Sequence, residues 1–154
     1  MKTIMYIITH KKYNFPTLDE YIPLVVGANK NKVEISGTVQ YDNTGDNISD
    51  KNSSFCELTG LYWIYKNSTI DGIVGLSHYR RYFFKSKKVN LANIVDKKYI
   101  EQKLTNADII LPKKKYLIDG NVYNDYKAHH NIKDLDNCIS IIEKNILSIQ
   151  KQHL

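Results

Sequence analysis

Short apolar runs with the composition of buried strands alternate with amphipathic, helix-like segments along the whole chain. The strand-like runs are residues 3–9, 22–28, 73–76 and 109–111. The helix-like segments are residues 55–66, 93–106 and the tail from Asp134 onwards. Such alternation is typical of a sheet whose strands are joined by helical crossovers. It predicts an α/β fold with a mostly parallel sheet and helices on both faces.

Local signals define where these elements are expected to begin and end. Residues 54–57 read Ser-Phe-Cys-Glu, a capping-box pattern that predicts a helix start, and Asn67 is a plausible helix end. Pro23 is expected at the start or edge of the second strand, because proline donates no ladder hydrogen bond. The apolar run 73–76 lies between turn signals and predicts a buried central strand. Residues 41–52 are dense in turn formers and predict a loop.

Length and composition restrict the class of protein. The chain of 154 residues suits one domain, residues 1–154, and its 42% hydrophobic content is sufficient for a folded core. No apolar run approaches the roughly 20 residues of a membrane-spanning helix, and no secretory signal is recognisable. Cys56 and Cys138 have neither partners nor metal-type spacing, so no disulfide framework is expected. These features predict a cytoplasmic protein.

The distribution of basic residues is more informative than the net charge of +6. That charge suits an anionic ligand, an anionic membrane surface or nucleic acid, without choosing among them. Lysine supplies nearly all of the positive charge, and the two arginines are adjacent at Arg80 and Arg81. Arginine binds phosphate or carboxylate oxygens with a planar, bidentate fork, whereas lysine is a mobile point charge. The arginine pair is therefore a specific indication of oxyanion binding.

Polar and basic residues follow three of the predicted strands, at the edge of the sheet where α/β proteins bind ligands. They are Thr9, His10 and Lys11; Gly27, Ala28 and Asn29; and His78, Arg80 and Arg81. Their cluster predicts a diphosphate site. An equally weighted alternative is a structural arginine pair that holds Glu57 or Asp71. The chain contains neither a Walker loop nor a Gly-x-Gly-x-x-Gly turn.

Three further groups of polar residues admit two interpretations each. The segment 42–47 contains carboxylates and amides that suit a sugar or ribose, but a self-bonded surface turn is favoured. Asp134 and Asp136 have the Asp-x-Asp spacing of metal-dependent sugar transferases, but they lie where carboxylates cap a helix, which is the favoured interpretation. His129 and His130 could act as a base or bind phosphate, although adjacent side chains on a helix point apart.

Several segments together resemble one known family. They are residues 42–52, 57–67 and 75–83, the last with the motif His-Tyr-Arg-Arg-Tyr-Phe, and shorter matches at 8–11, 26–28, 110–112, 126–130 and 134–136. This pattern is similar to a bacterial family of capsular and exopolysaccharide clusters, long filed as a domain of unknown function. Its members are regarded as glycosyltransferases with a GT-A-like fold, and the resemblance covers nearly the whole chain.

The resemblance implies transfer of a hexose from a UDP-sugar to a saccharide or lipid-linked acceptor. It places Thr9, His10 and Lys11 near the nucleotide, Asp42, Asn43, Asp46 and Asn47 near the donor, and His78, Arg80 and Arg81 near the diphosphate. The acceptor side is assigned to His129 and His130, and the catalytic carboxylates to Asp42, Asp46 or Glu57. No cofactor is assigned, and a divalent metal at Asp134 and Asp136 is a weak expectation, because carboxylates cap helices at such positions. The family pattern has no clear Asp-x-Asp after the central strand, where this chain reads His-Tyr-Arg-Arg, so we expect the arginines to take over part or all of a metal's role.

Two alternatives to an active transferase remain at this stage. Family members continue past the helix that ends this chain, so a truncated fragment could bind the nucleotide sugar without turnover. A basic nucleic-acid-binding domain is a minor alternative, based on the lysines at 85–88 and 113–115 beside the aromatic residues 82–84. The same lysines suit peripheral contact with the inner face of a membrane, where lipid-linked acceptors lie.

Overall fold

The computed structural model describes residues 2–69, 71–113, 117 and 120–152, with the backbone alone for residues 146–152. The chain divides into two compact units, Met1–Leu111 and Pro112–Leu154. The expectation of one domain over residues 1–154 stays a prediction.

A four-stranded parallel sheet forms the centre of the first unit. Its strands are β1 (Lys2–Thr9), β2 (Tyr21–Val25), β3 (Gln40–Tyr41) and β4 (Gly72–His78), in the spatial order β3-β2-β1-β4. Strand β1 is paired on both sides, and it is buried along nearly its whole length because apolar residues point to both faces. The carboxyl ends of all four strands therefore lie at one edge of the sheet.

A hydrophobic core covers each face of the sheet. On one face, Ile4, Tyr6 and Ile8 pack against Trp63 and Ile64 of a helix, α2 (Leu58–Asn67). On the other face, a second core contains two β1 residues and Ile100 of α3 (Lys97–Lys103). The alternation of side chains along β1 supplies both cores, since successive residues point to opposite faces. The predicted α/β class, with helices on both faces of a parallel sheet, is confirmed.

Pro23 was expected at the start or the edge of the second strand; it lies in the middle of β2, so the first of these positions is wrong. Strand β3 pairs only with Leu24 and Val25, so β2 has β1 as its single neighbour at the proline. Proline has no backbone N–H, but no strand is paired with β2 on the β3 side at this position, so no interstrand hydrogen bond is lost there.

The predicted capping box at residues 54–57 is wrong. Ser54 lies inside a short helix, α1 (Asn52–Phe55), and Glu57 precedes α2 without a capping hydrogen bond from its side chain. The two helices are separated at Cys56, which has a positive φ of 47°. The helix expected over residues 55–66 corresponds to α2, which begins at Leu58 and ends at Asn67, the predicted helix end. The Glu57 side chain caps neither helix.

Two strand predictions also differ from the structure. Strand β4 forms, but in the described part of the chain it is an edge strand, and Val74 and Leu76 are 43% and 38% exposed. Residues 109–111 form no strand, and the side chains of Ile109 and Leu111 are exposed. Apolar composition predicted both, but a strand forms only where a neighbour pairs with its backbone.

Gly60 sets how closely α2 approaches the sheet. A Cβ at this position would lie 2.7 Å from Ile8 Cδ1 and 2.9 Å from Val26 Cγ1. We expect Gly60→Val to reduce the free energy of unfolding by about 1–3 kcal/mol, because a larger side chain overpacks this contact. Urea denaturation measures the change, and Leu61→Val, on the half-exposed neighbouring position, is the control. Equal stability of the two variants would contradict the close-packing argument.

The second unit consists of two helices among its described residues, α4 (Val122–His129) and α5 (Ile132–Gln152). The side chain of Asn121 caps α4 by accepting a hydrogen bond from the Asn124 amide. The closing helix was expected to begin at Asp134 or Asp136, but α5 begins at Ile132 and contains both. The sequence places Ile139, Ile142, Ile146 and Ile149 on one apolar stripe of this helix, and the side chains of the last two lie outside the described residues. None of the helices that the structure describes is both long and apolar enough to cross a membrane.

Candidate functional site

A cleft of about 210 Å³ opens at the carboxyl ends of β1, β2 and β4, where ligands are expected in α/β proteins. The ends of these strands and the α1–α2 junction line it with Ile8, Thr9, His10, Val26, Asn52, Cys56, Glu57, His78 and Arg80. Thus His10, at the end of β1, meets His78 and Arg80, at the end of β4, in one cleft. Thr9 is also there, but its hydroxyl is directed to the Lys11 carbonyl at 2.6 Å and stabilises the turn after β1.

Tyr79 is the structural centre of the loop after β4. Only 1% of its surface is exposed, and its amide donates a hydrogen bond to the Ile8 carbonyl of β1 at 3.1 Å. Three rings surround it: His10 and Tyr13 approach edge-on at centroid distances of 5.3 and 5.1 Å, and His78 packs at 4.2 Å. The buried ring therefore connects the loop after β1 with the loop after β4.

Two cations lie against the same tyrosine ring. The Lys11 ammonium is 5.3 Å and the Arg80 guanidinium carbon 5.0 Å from the Tyr79 centroid, within the range of cation–π attraction. In the part of the chain that the structure describes, neither cation has an ion pair, and Arg81 has none either. Neither arginine therefore forms the ion pair with Glu57 or Asp71 that a structural role would require.

His78 and Glu57 form the titratable pair of the cleft. His78 Nε2 lies 3.7 Å from Glu57 Oε1, and His78 Nδ1 accepts a hydrogen bond from the Arg80 amide at 3.2 Å. Because Nδ1 is an acceptor, the proton of the neutral ring is on Nε2, which faces the carboxylate. Burial lowers the pKa of His78; Glu57 opposes this shift, whereas Arg80, Arg81 and His10 add to it.

Asp42 is fully buried, and its carboxylate is saturated with hydrogen bonds. It accepts from the amides of Gly27 and Ala28 at 2.9 and 3.0 Å, and from the hydroxyls of Ser49 and Thr59 at 2.6 and 2.7 Å. A carboxylate that already accepts four bonds has no free position for a substrate proton. We therefore do not retain Asp42 as a candidate catalytic base.

The remaining polar residues of the 42–47 segment lie on the surface, and their side chains bond to neighbouring parts of the chain as well as within the segment. Asp46 accepts a hydrogen bond from the Tyr62 hydroxyl at 3.0 Å and lies 3.6 Å from the Lys66 ammonium. Asn43 bonds to the Asn29 side chain, and the Asn47 amide donates to Gly45 O. None of Asn43, Asp46 and Asn47 lines the cleft.

The predicted acceptor and metal residues lie in the second unit. The His129 ring nitrogen Nδ1 lies 2.7 Å from the Asp125 carbonyl, and His130, just after α4, packs on Tyr126 at 4.7 Å. Asp136 accepts a hydrogen bond from the Tyr123 hydroxyl at 2.9 Å. Across the described residues, no group of three or more His, Cys, Asp or Glu side chains is arranged to hold a metal ion. The weak metal assignment to Asp134 and Asp136 stays a prediction.

Sequence reasoning missed three residues of the site. Asn52 and Cys56 line the cleft because α1 ends beside the strand ends, and Asn52 donates to the Cys56 carbonyl and to Thr59 Oγ1 at 2.7 and 3.0 Å. The sequence patterns included Tyr79 only as part of the His-Tyr-Arg-Arg-Tyr-Phe motif, without a role of its own. Its position between His78 and Arg80 was the available signal, because an aromatic residue among cation donors suits cation–π contacts.

Comparison with known proteins gives two matches. A family model described as a domain of unknown function, DUF4422, matches residues 4–153. The solved structure of the WbbM bifunctional glycosyltransferase in its apo form is 30% identical in sequence, with a TM-score of 0.80. The match covers 94% of this chain and 29% of that chain, so this chain spans less than a third of the other's length. No match was found among curated proteins.

Proposed function

The chain belongs to the DUF4422 family, and from this premise we propose that it binds a nucleotide sugar in the cleft and takes part in glycosyl transfer. The observation that carries the proposal is the similarity to a glycosyltransferase over 94% of the chain, in a fold whose strand ends bring basic side chains into one cleft. We take the donor to be a UDP-hexose and the acceptor to be a capsular or exopolysaccharide chain, in line with the family resemblance.

The diphosphate of the donor is assigned to the basic side of the cleft. Arg80 and His10 line the cleft, and Lys11 lies on the same tyrosine ring as Arg80. Charge-assisted hydrogen bonds from such groups to phosphate oxygens are stronger than neutral ones. Negative charge grows on the departing UDP as the glycosidic bond breaks, so fixed cations at this position stabilise the transition state more than the ground state.

Glu57 is the carboxylate best placed for proton transfer or for stabilising positive charge on the sugar. Of the three candidate carboxylates, Asp42 is saturated and Asp46 lies outside the cleft, whereas Glu57 lines it and faces His78 Nε2. A glycosyl transition state carries positive charge near the anomeric carbon, which a carboxylate stabilises. We assign this role to Glu57, and His78 orients its carboxylate.

Titration of the whole chain with UDP and UDP-galactose by calorimetry, with and without Mn²⁺, tests the proposal. Binding without metal supports the cationic site, whereas binding that requires Mn²⁺ supports a metal-dependent site. Release of galactose from the donor then shows turnover, which Glu57→Gln should lower. Binding without release supports the non-catalytic nucleotide-sugar-binding alternative. Absence of both binding and release contradicts the proposed function.

The nucleic-acid alternative receives less support from the structure. Tyr82 and Phe83 are packed against the second core, and Lys85 is paired with Asp96. Lys114 and Lys115 of the basic run lie outside the described residues. Salt dependence separates the alternatives, because counterion release makes nucleic-acid affinity fall steeply with salt. A UDP affinity that falls only modestly between 50 and 200 mM salt, roughly the range over which nucleic-acid binding collapses, favours the cleft.

Binding of UDP is expected to be coupled to proton uptake by His78. The pKa of His78 is lowered in the free protein, mainly by burial. A diphosphate beside the ring stabilises its protonated form and raises this pKa, so the protein gains protons on binding and affinity rises as the pH falls from 8 to 6.

Calorimetry in buffers of different ionisation enthalpy measures the proton uptake. UDP itself titrates in this range, so His78→Gln provides the matched control, and the difference between the two proteins isolates the histidine. Identical proton uptake by both proteins would remove His78 from the vicinity of the phosphates.

A further inference from the structure

We propose that Tyr79 is a positioning residue whose buried ring holds Lys11 and Arg80 in place to bind the donor diphosphate. This inference rests on the proposed function. Tyr79 neither touches the substrate nor carries a charge. It affects the binding of the diphosphate through Lys11 and Arg80.

The backbone holds the ring in a defined position. The Tyr79 amide donates to the Ile8 carbonyl, the last residue but one of β1. A tight turn follows, in which the amides of His78 and Arg81 each donate to the other's carbonyl, at 3.2 and 2.8 Å. The ring is 1% exposed and is wedged between His10, His78 and Tyr13. Its face is therefore a rigid platform at the junction of two loops.

The ring explains how two cations are held in place without a carboxylate partner among the described residues. Lys11 and Arg80 lie 5.3 and 5.0 Å from the same ring centroid, and within the described residues neither has an ion pair. The negative face of an aromatic ring attracts cations. A carboxylate partner would occupy the N–H donors of these cations, whereas contact with a ring face leaves the donors available. The ring thus orders both cations and keeps their hydrogen bonds free for phosphate oxygens.

The predicted consequence is specific to the phosphate part of the ligand. Inorganic pyrophosphate and UDP should lose affinity by the same factor when the ring is removed, while any affinity for uridine should not change. We expect Tyr79→Leu to weaken pyrophosphate binding about tenfold, since two cation–π contacts are lost. Tyr79→Phe keeps the ring and should bind within about twofold of the wild type.

Replacement of a buried tyrosine by leucine also affects folding, so a second series separates the two effects. Phenylalanine analogues with increasing numbers of ring fluorines at position 79 keep the shape of the ring and weaken its negative face stepwise. Pyrophosphate affinity should fall along this series while the thermal unfolding temperature stays nearly constant. In a Lys11→Met background the same series should have a smaller effect, because one of the two cations is gone.

The outcomes distinguish this inference from the proposed function. Wild-type protein that binds pyrophosphate and UDP, together with fluorinated variants of undiminished affinity, would overturn the positioning role and leave the proposed function intact. Failure of the wild-type chain to bind either anion would overturn both. A parallel loss of uridine affinity would show a general collapse of the cleft and would also overturn the positioning role.

Discussion

Asp42→Ala is expected to lower the free energy of unfolding by about 3 kcal/mol or more, which is a large part of the stability of a typical domain. The carboxylate joins three separate segments: the amides of Gly27 and Ala28 after β2, the Ser49 hydroxyl, and the Thr59 hydroxyl of α2. Its removal deprives four donors of this acceptor; the Thr59 hydroxyl can still donate to the Cys56 carbonyl at 3.2 Å, and each buried donor left unsatisfied costs free energy.

The effect should reach the cleft as well. Thr59 also accepts a hydrogen bond from Asn52, whose side chain lines the cleft beside Cys56. Loss of the Asp42 carboxylate therefore loosens the α1–α2 wall, and we expect a weaker UDP affinity in those molecules that remain folded.

Urea denaturation of Asp42→Ala and Asp46→Ala provides the measurement and its control. Asp46 belongs to the same segment, but its carboxylate is exposed and bonds only to Tyr62 and Lys66 on the surface. Its removal should change the stability by about 1 kcal/mol or less. A loss at Asp42 no larger than that at Asp46 would contradict the role of the buried carboxylate as the tie between the three segments.

The buried, structural role of Asp42 could not be predicted from the local sequence. Its neighbours are turn formers, so the segment is typical of a solvated loop, and five of its six residues are indeed exposed or half-buried. The four donors to Asp42 come from residues 7–17 positions away in the chain. Only the tertiary fold brings these donors together, and no local sequence pattern indicates that they are close in space. The apolar, β-branched composition of β1, in contrast, is a local property that predicted a strand, and the alternation of strand-like and helix-like segments predicted the parallel sheet.

The helix break at Cys56 has the same origin. The Ser54–Glu57 pattern satisfies local capping chemistry, yet Thr59 is bonded to Asp42 and to Asn52, and Cys56 takes a positive φ between α1 and α2. Tertiary hydrogen bonds thus overcome the local preference. In consequence Glu57 faces His78 instead of capping a helix, a placement that no sequence pattern predicted.

The candidate site was predictable in part, because its cations follow strands. The rule that ligands bind at the carboxyl ends of parallel strands brought His10, His78 and Arg80 together correctly. The rule does not say which of two adjacent side chains enters the cleft, and the sequence treated Arg80 and Arg81 as equivalent. The structure distinguishes them, since Arg80 lines the cleft and packs on Tyr79.

Arg80→Lys is accordingly expected to weaken UDP binding about tenfold, a difference of about 1.4 kcal/mol, although the positive charge is retained. Lysine cannot reproduce the bidentate binding of arginine to phosphate oxygens. Its ammonium group is also not planar, so it cannot stack on the Tyr79 ring as a guanidinium does. Calorimetric titration at fixed pH and salt measures the change.

Arg81→Lys is the matched control, because it makes the same substitution one position along. The Arg81 side chain does not line the cleft, and its backbone makes the turn hydrogen bonds with His78 in either variant. We expect a change of less than about twofold, since the substitution retains the charge of an exposed side chain outside the cleft. Equal losses in the two variants would mean that the anion lies across both arginines, outside the cleft. No loss in either would leave Arg80 as a surface residue that packs on Tyr79, and the diphosphate would then have to be bound by lysine and histidine alone.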